Sequence, residues 1–378
     1  MSFLAASGKL PTGLILSGGG ARAAYQVGVL RALARLLPER APNPFDIICG
    51  TSSGALNAAV LATEAECLQN GVNSLSEIWG NIRSDTVYEP MTGNLFVSVS
   101  NLMLSIVAGG GASRASAFLD NKPLRKLLKR KFELDKIQRN IDRGMLDALV
   151  ITASAYGTGT SVSFYQAVKG TEDWTGPHRI GRRCKLGIKH LMASCAIPLL
   201  FPAVSIEGQY YCDGAVRQVS PASPALRLGA RRLFVIGVSG NRSKAGGDES
   251  LTEEPSSYQV LGHIMNGAFV DTLENDLEVL KRMNRMARSR KGGPGRTSGD
   301  GSEPIEFLEI SPSERVNQLA VDYYDELPKG MARYINPDSS STMLSLILFE
   351  QGYCNRLADL GFHDAMAKED EIRDFLKG

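Results

Sequence analysis

Leu14-Ile15-Leu16-Ser17 is a short apolar run stopped by Gly18-Gly19-Gly20, the pattern of a buried strand entering a tight turn. Tyr25, Val29, Leu33 and Leu36 then recur at helical spacing on one face until Pro38 closes the segment. The arrangement repeats at once. Phe45-Asp46-Ile47-Ile48-Cys49 predicts a second buried strand and Ala55 to Ala65 a helix, with Gly50-Thr51-Ser52-Ser53-Gly54 between them. Alternating units of this kind predict a parallel sheet covered by helices.

From Glu64 to about Leu146 the pattern turns helical and irregular, as in an insertion or cap of about 64–146. It holds the apolar stretch Leu95 to Val107 and a basic amphipathic segment, Lys122 to Lys131. Strands resume at Ala148–Thr152 and Val162–Tyr165, with a hairpin at Val204 to Tyr211 and a buried strand at Leu233–Val238. The core sheet is therefore expected to end near residue 240. Beyond it, Leu273, Leu277 and Leu280 mark an amphipathic helix, Ile305–Ile310 alternates like a half-buried strand, and Met343 to Leu360 reads as helical. Two stretches, about 243–257 and 290–304, are rich in Gly, Ser, Pro and charge and predict flexible loops. The organisation expected is a catalytic domain over 1–240 and a C-terminal extension over 241–378 packed on it.

Composition narrows the function. With 378 residues, 43% of them apolar and 22% charged, the chain can bury a sizeable core, which excludes disorder and fibrous repeats. The 42 Lys and Arg against 40 Asp and Glu leave +2, so nothing calls for a nucleic-acid partner. The first nine residues lack the signature of a secretory signal, making the cytoplasm the default location. Leu95 to Val107 is broken by serines and an asparagine and is shorter than the ~20 residues needed to cross a bilayer. The six cysteines, Cys49, Cys67, Cys184, Cys195, Cys212 and Cys354, are too scattered for a zinc or redox motif and read as small buried hydrophobes. No metal cluster is visible, so calcium-independent chemistry without a cofactor is expected.

Gly50-Thr51-Ser52-Ser53-Gly54 is a G-x-S-x-G sequence lying where a strand turns into a helix. Such an elbow strains the central Ser52 and needs flanking residues without bulk, and it lifts the hydroxyl out at the end of the sheet. The bland alternative is a serine-rich turn capping a helix. Ser17-Gly18-Gly19-Gly20-Ala21-Arg22 adds an anion cradle, able to hold a phosphate or the oxyanion of an ester under attack. Ala23 stands where the last Gly of a dinucleotide fingerprint belongs, which weakens the phosphate reading. Arg22 either supports the cradle electrostatically or lies on the helix surface.

A nucleophilic serine needs a base, and four histidines exist: His178, His190, His263 and His363. None sits in a motif, although His190 lies in a helical stretch. By contrast, Tyr211-Cys212-Asp213-Gly214-Ala215 sets one acid between an apolar strand and a glycine turn, an unusual place for an unpartnered carboxylate. Taken alone, Asp213 also fits a turn former capping nearby N–H groups.

Gly18-Gly19-Gly20-Ala21-Arg22, Gly50-Thr51-Ser52-Ser53-Gly54 and Asp213-Gly214-Ala215, in that order, resemble the patatin-like phospholipases. A fourth block agrees: Ala193 to Pro202 is similar to the segment that precedes the Asp motif in that family and helps shape its pocket. The resemblance covers about Leu14 to Val238. It implies a three-layer α/β/α sandwich with a mostly parallel central sheet, a helical insertion and a C-terminal helical extension. It further implies a Ser-Asp dyad without histidine, with Ser52 as nucleophile and Asp213 as base. The amides of Gly18, Gly19, Gly20 and Ser53 would then form the oxyanion hole, with Arg22 as electrostatic support.

The expected activity is hydrolysis of carboxylic esters in phospholipids or lysophospholipids, with Leu95 to Val107 and Lys122 to Lys131 as candidate contacts at a membrane surface. A carboxylesterase or thioesterase on small soluble esters is the first rival, and a non-catalytic nucleotide-binding module the remoter one.

Overall fold

A computed structural model describes residues 10–90, 117–239, 272–291, 304–332 and 337–377, with a few positions between 263 and 267. Ten strands form one sheet: β1 (Thr12–Leu16), β2 (Ile47–Thr51), β3 (Ala148–Ala155), β4 (Ser161–Ala167), β5 (Trp174–Gly176), β6 (Arg179–Arg183), β7 (Val204–Ile206), β8 (Gln209–Asp213), β9 (Arg232–Ile236) and β10 (Glu306–Ile310). Their order is β10-β9-β1-β2-β3-β4-β6-β5, with β8 bridging the end of β3 to β7. From β10 through β3 every neighbour is parallel, which explains why Leu14–Leu16 and Leu149–Ile151 read as continuous apolar runs: both faces are covered. Beyond β3 the sheet is mixed, because β4 and β8 both run antiparallel to β3.

Alternate side chains of the central strands enter two cores. Leu14, Leu16, Ile48, Leu149 and Ile151 point to one face. There α1 (Ala24–Leu36), α2 (Ser53–Thr63), α3 (Leu68–Gly80), α4 (Lys122–Lys131) and α5 (Asp135–Asp142) add to the core with α6 (Ile188–Ser194). Ile15, Ile47, Cys49 and Val150 point to the other, covered by α7 (Ser223–Arg227) and α8 (Thr272–Lys291). These are the three layers.

Four expectations change in detail. The strand pattern at Phe45 begins two residues late, at Ile47, and its helix begins at Ser53, directly after the elbow. The sheet does not end near residue 240: β10 pairs in parallel with β9 and closes one edge, which accounts for its half-buried alternation. The C-terminal helical pattern is two helices, α10 (Pro337–Ile347) and α11 (Gln351–Met366), broken at Leu348–Glu350, and α9 (Val316–Asp322) and α12 (Glu369–Lys377) flank them. Cys67 and Cys184 are only half-buried, whereas the other four cysteines are buried, all six being free thiols.

Leu95 to Val107 and the stretch 243–257 lie outside the described residues, as does most of 290–304. Among the described residues no helix is long and apolar enough to cross a membrane. The C-terminal extension is fastened by buried and half-buried polar pairs, among them Tyr25 Oη donating to Asp364 at 2.9 Å and Arg232 Nε donating to Glu306 at 2.8 Å.

Candidate active site

Register brings the chemistry together. Leu16 of β1 pairs with Gly50 of β2, so the glycine turn and the serine elbow leave the sheet side by side. Thr51 pairs with Thr152 of β3, and the next residue of β3, Ala153, pairs with Asp213 of β8. Ser52 and Asp213, 161 residues apart in sequence, are thereby set at one level of one sheet.

Ser52 holds φ 54° and ψ −130°, a conformation that costs a non-glycine residue about 1–3 kcal/mol. Several fixtures keep it there. Its N–H donates to Ser194 Oγ at 2.8 Å, and Ser194 Oγ donates onward to the Thr152 carbonyl at 2.6 Å. Gly54 lies so close to the carbonyls of Leu16 and Ser17 that any Cβ there would collide with both. α2 runs on from the elbow, so the positive end of its dipole faces the serine.

Ser52 Oγ donates to Asp213 Oδ2 at 2.5 Å. The second oxygen, Oδ1, accepts the Ala215 N–H at 3.0 Å, and the Asp213 N–H donates to the Ala196 carbonyl at 2.8 Å. Asp213 is fully buried, no cation among the described residues pairs with it, and this desolvation pushes its carboxyl up to about 7 against the pull of the Ser52 and Ala215 donors. Asp213 thus caps a turn through one oxygen and meets the serine through the other.

The histidines stand elsewhere. His190 is half-buried, its Nδ1 accepting the Gly187 N–H at 3.0 Å and its ring lying against Phe164, and burial holds it below the usual imidazole range. His178, His263 and His363 are exposed. Among the described residues none of the four is hydrogen-bonded to Ser52 or Asp213.

Gly20, Ser52 and Ser53 are among the residues that line a solvent-open cavity with about 50 Å³ of space accessible to water. Its walls are almost wholly apolar, supplied by α2, α3, α4, the Cys195–Phe201 loop and the end of α10. Ser53 Oγ is buried there without a hydrogen-bond partner among the described residues. Gly18 instead faces a smaller pocket beside Thr51, Ala215 and Gln218.

Arg22 is not on the helix surface. Only 2% exposed, it donates from Nε and Nη2 to Ser345 Oγ at 2.9 and 2.7 Å, tying the glycine turn to α10. Gly20, at φ 57°, sits directly against the Leu346 carbonyl, which leaves no room for a side chain. The extension after residue 240 is thus part of the site's wall, a role that no motif in it announces.

A serine at a strained strand-to-helix elbow, hydrogen-bonded to a buried carboxylate on an α/β/α sandwich, has the parts of an acyl-transfer site. The patatin-like phospholipase family model matches residues 14–226, more than half of the chain, and the protein belongs to that family.

Two curated proteins share sequence with it. "Lysophospholipase nte1" of Aspergillus terreus is 54% identical over 54 residues, 14% of this chain and 3% of that protein. The uncharacterized protein YjjU of Escherichia coli is 27% identical over 225 residues, 59% of this chain and 50% of that one. The chain therefore spans half or less of the curated relatives it matches. Among solved structures, human GIVD cytosolic phospholipase A2 aligns over 97% of this chain and 60% of its own, at 12% identity and a TM-score of 0.44. VipD from Legionella pneumophila aligns over 96% and 67%, at 12% identity and a TM-score of 0.37.

Proposed function

We propose that the protein is a serine acyl hydrolase that cleaves carboxylic ester bonds of phospholipids or lysophospholipids through an acyl-enzyme on Ser52. The observation that carries this reading is the 2.5 Å hydrogen bond to a fully buried Asp213 from Ser52, which lines an apolar cavity.

Asp213 accepts the hydroxyl proton as Ser52 Oγ attacks the ester carbonyl, and returns it to the departing alcohol. Water then repeats the sequence on the acyl-serine, releasing the fatty acid and restoring the proton to Ser52. The amides of Gly20 and Ser53, which line the cavity with Ser52, receive the oxyanion at the positive end of α2, while Gly18 faces the neighbouring pocket. Arg22 acts at a distance, by holding the glycine turn through Ser345. These steps call on no histidine, metal or cofactor.

The apolar walls suit an acyl chain rather than a nucleotide. Family membership and the short match to a lysophospholipase support a lipid ester as substrate. Such substrates lie in membranes, so the enzyme acts peripherally at a membrane surface.

Labelling with a fluorescent fluorophosphonate tests the nucleophile. Wild type should label and Ser52→Ala should not; equal labelling of both would end the proposal. Turnover of short soluble esters alone, with long-chain lipids untouched, would keep the nucleophile and replace the lipid assignment by a carboxylesterase or thioesterase.

A further inference from the structure

Helix α4 has six cations in ten residues and no acid: Lys122, Arg125, Lys126, Lys129, Arg130 and Lys131. Its leucines point the other way. Leu124 and Leu128 are buried, and with Leu127 they form part of the wall of the cavity that Ser52 also lines. All six cations are exposed.

Lys122 is paired with Asp120 at 2.9 Å and Lys131 with Glu77 at 2.8 Å, but no ion pair among the described residues takes up Arg125, Lys126, Lys129 or Arg130. A formal charge of only +2 over the whole chain makes this a local concentration rather than a general bias. Six cations on one short helix exceed what its C-terminal dipole calls for, since that effect is confined to the last turn.

We propose that the exposed face of α4 docks on an anionic lipid surface, bringing the cavity that its leucines line close to the lipid it is to take in. The commitment to lipid over RNA or an acidic protein comes from the two faces of one helix. The side that bears cations suits phosphate and carboxylate headgroups, and the side that bears leucines borders the space for an acyl chain. The inference rests on reading that cavity as a lipid-ester site.

The test is co-sedimentation with vesicles of phosphatidylcholine alone and of an equimolar mixture with phosphatidylserine. It compares wild type with the combined variant Arg125→Gln, Lys126→Gln, Lys129→Gln and Arg130→Gln, all exposed positions. Each cation near an anionic surface strengthens binding about fivefold. Wild type should therefore partition to the mixed vesicles at least about tenfold better than to phosphatidylcholine, and the variant should lose that preference. The variant should also release fatty acid from mixed vesicles at least about tenfold more slowly while hydrolysing a short soluble ester at the wild-type rate.

Wild type indifferent to headgroup charge, or a variant that binds as well as wild type, would overturn the inference. So would charge-dependent binding of single-stranded RNA with vesicles left unbound. If wild type partitions by charge yet cleaves no ester, the hydrolase reading fails while the docking surface stands.

Discussion

In the proposed mechanism Asp213 owes its basicity to what surrounds it. A carboxylate with no exposure to water is poorly stabilised as an ion, so its affinity for a proton rises toward that of a useful base at neutral pH. Only the ionised form can take the Ser52 proton. For a soluble ester, kcat/KM should climb with pH below about 7, close to tenfold per unit, and level off above. A rate that stayed flat from pH 5 to 8 would contradict this. Asp213→Asn should lose at least ~100-fold in turnover.

The same shift has a stability consequence. The folded-state value near 7 lies above the ~4 of an unfolded chain, so folding takes up a proton between those values. The stability that Asp213 contributes is therefore fully present below about pH 4 and is lost as pH rises through 7. Asp213→Asn should consequently melt higher than wild type at pH 8, and this advantage should shrink or vanish at pH 4. An equal difference at both pH values would mean that the folded protein does not raise this carboxyl above its unfolded value.

At the scale of elements, the site is a meeting of chain turns held by buried polar bonds. The strand–glycine–helix order, the elbow at Ser52 and the acid at the end of β8 were legible because each leaves a local mark: an apolar run, a glycine cluster, a carboxylate where none belongs. What fastens them left no such mark. Ser194, which holds the Ser52 amide, sits within a recognisable block yet looks like any helical serine. A further chain runs from Trp79 Nε1 to Asn57 at 2.8 Å, from Asn57 to Gln26 at 2.9 Å, and from Gln26 to the Ser17 carbonyl at 2.8 Å, tying α3 and α2 to the glycine turn. These partners are 9 to 31 residues apart, and nothing in their spacing announces the contact.

Arg22 is a sharper case, since its partner Ser345 lies 323 residues away in a helix that carries no family motif. Ser345→Ala would deprive a buried guanidinium of a close acceptor, at a cost of about 1–3 kcal/mol. Because Ser345 touches the glycine turn through Arg22 and not the substrate, kcat should fall while KM for a short ester stays near the wild-type value. A change in KM alone, with kcat intact, would place Arg22 outside the positioning of the turn.

For the molecule as a whole, the sheet sets the depth of the site and the helices set its breadth. The parallel centre of the sheet could be read from continuous apolar strands, but its extent could not. β10, an edge strand with one half-covered face, reads as weakly amphipathic, and its pairing with β9 spans 74 residues of sequence. The cavity was equally hidden, being assembled from α2, α3, α4, the Cys195–Phe201 loop and α10, each of which shows only an ordinary apolar face. Its bore should govern acyl length. Leu127→Trp, at a half-buried wall position, should raise KM for long-chain esters several-fold and leave short-chain esters nearly unchanged. An equal effect on both would move the acyl chain out of this cavity.

The measurement that bears most directly on the nucleophile is mass-spectrometric analysis of products after wild type and Ser52→Ala are incubated with mixed phospholipids and lysophospholipids in the presence of a chelator. Wild type should release free fatty acid, and Ser52→Ala, with an unchanged melting curve, should release none. Fatty acid released at similar rates by both proteins would contradict the assignment of Ser52 as the nucleophile.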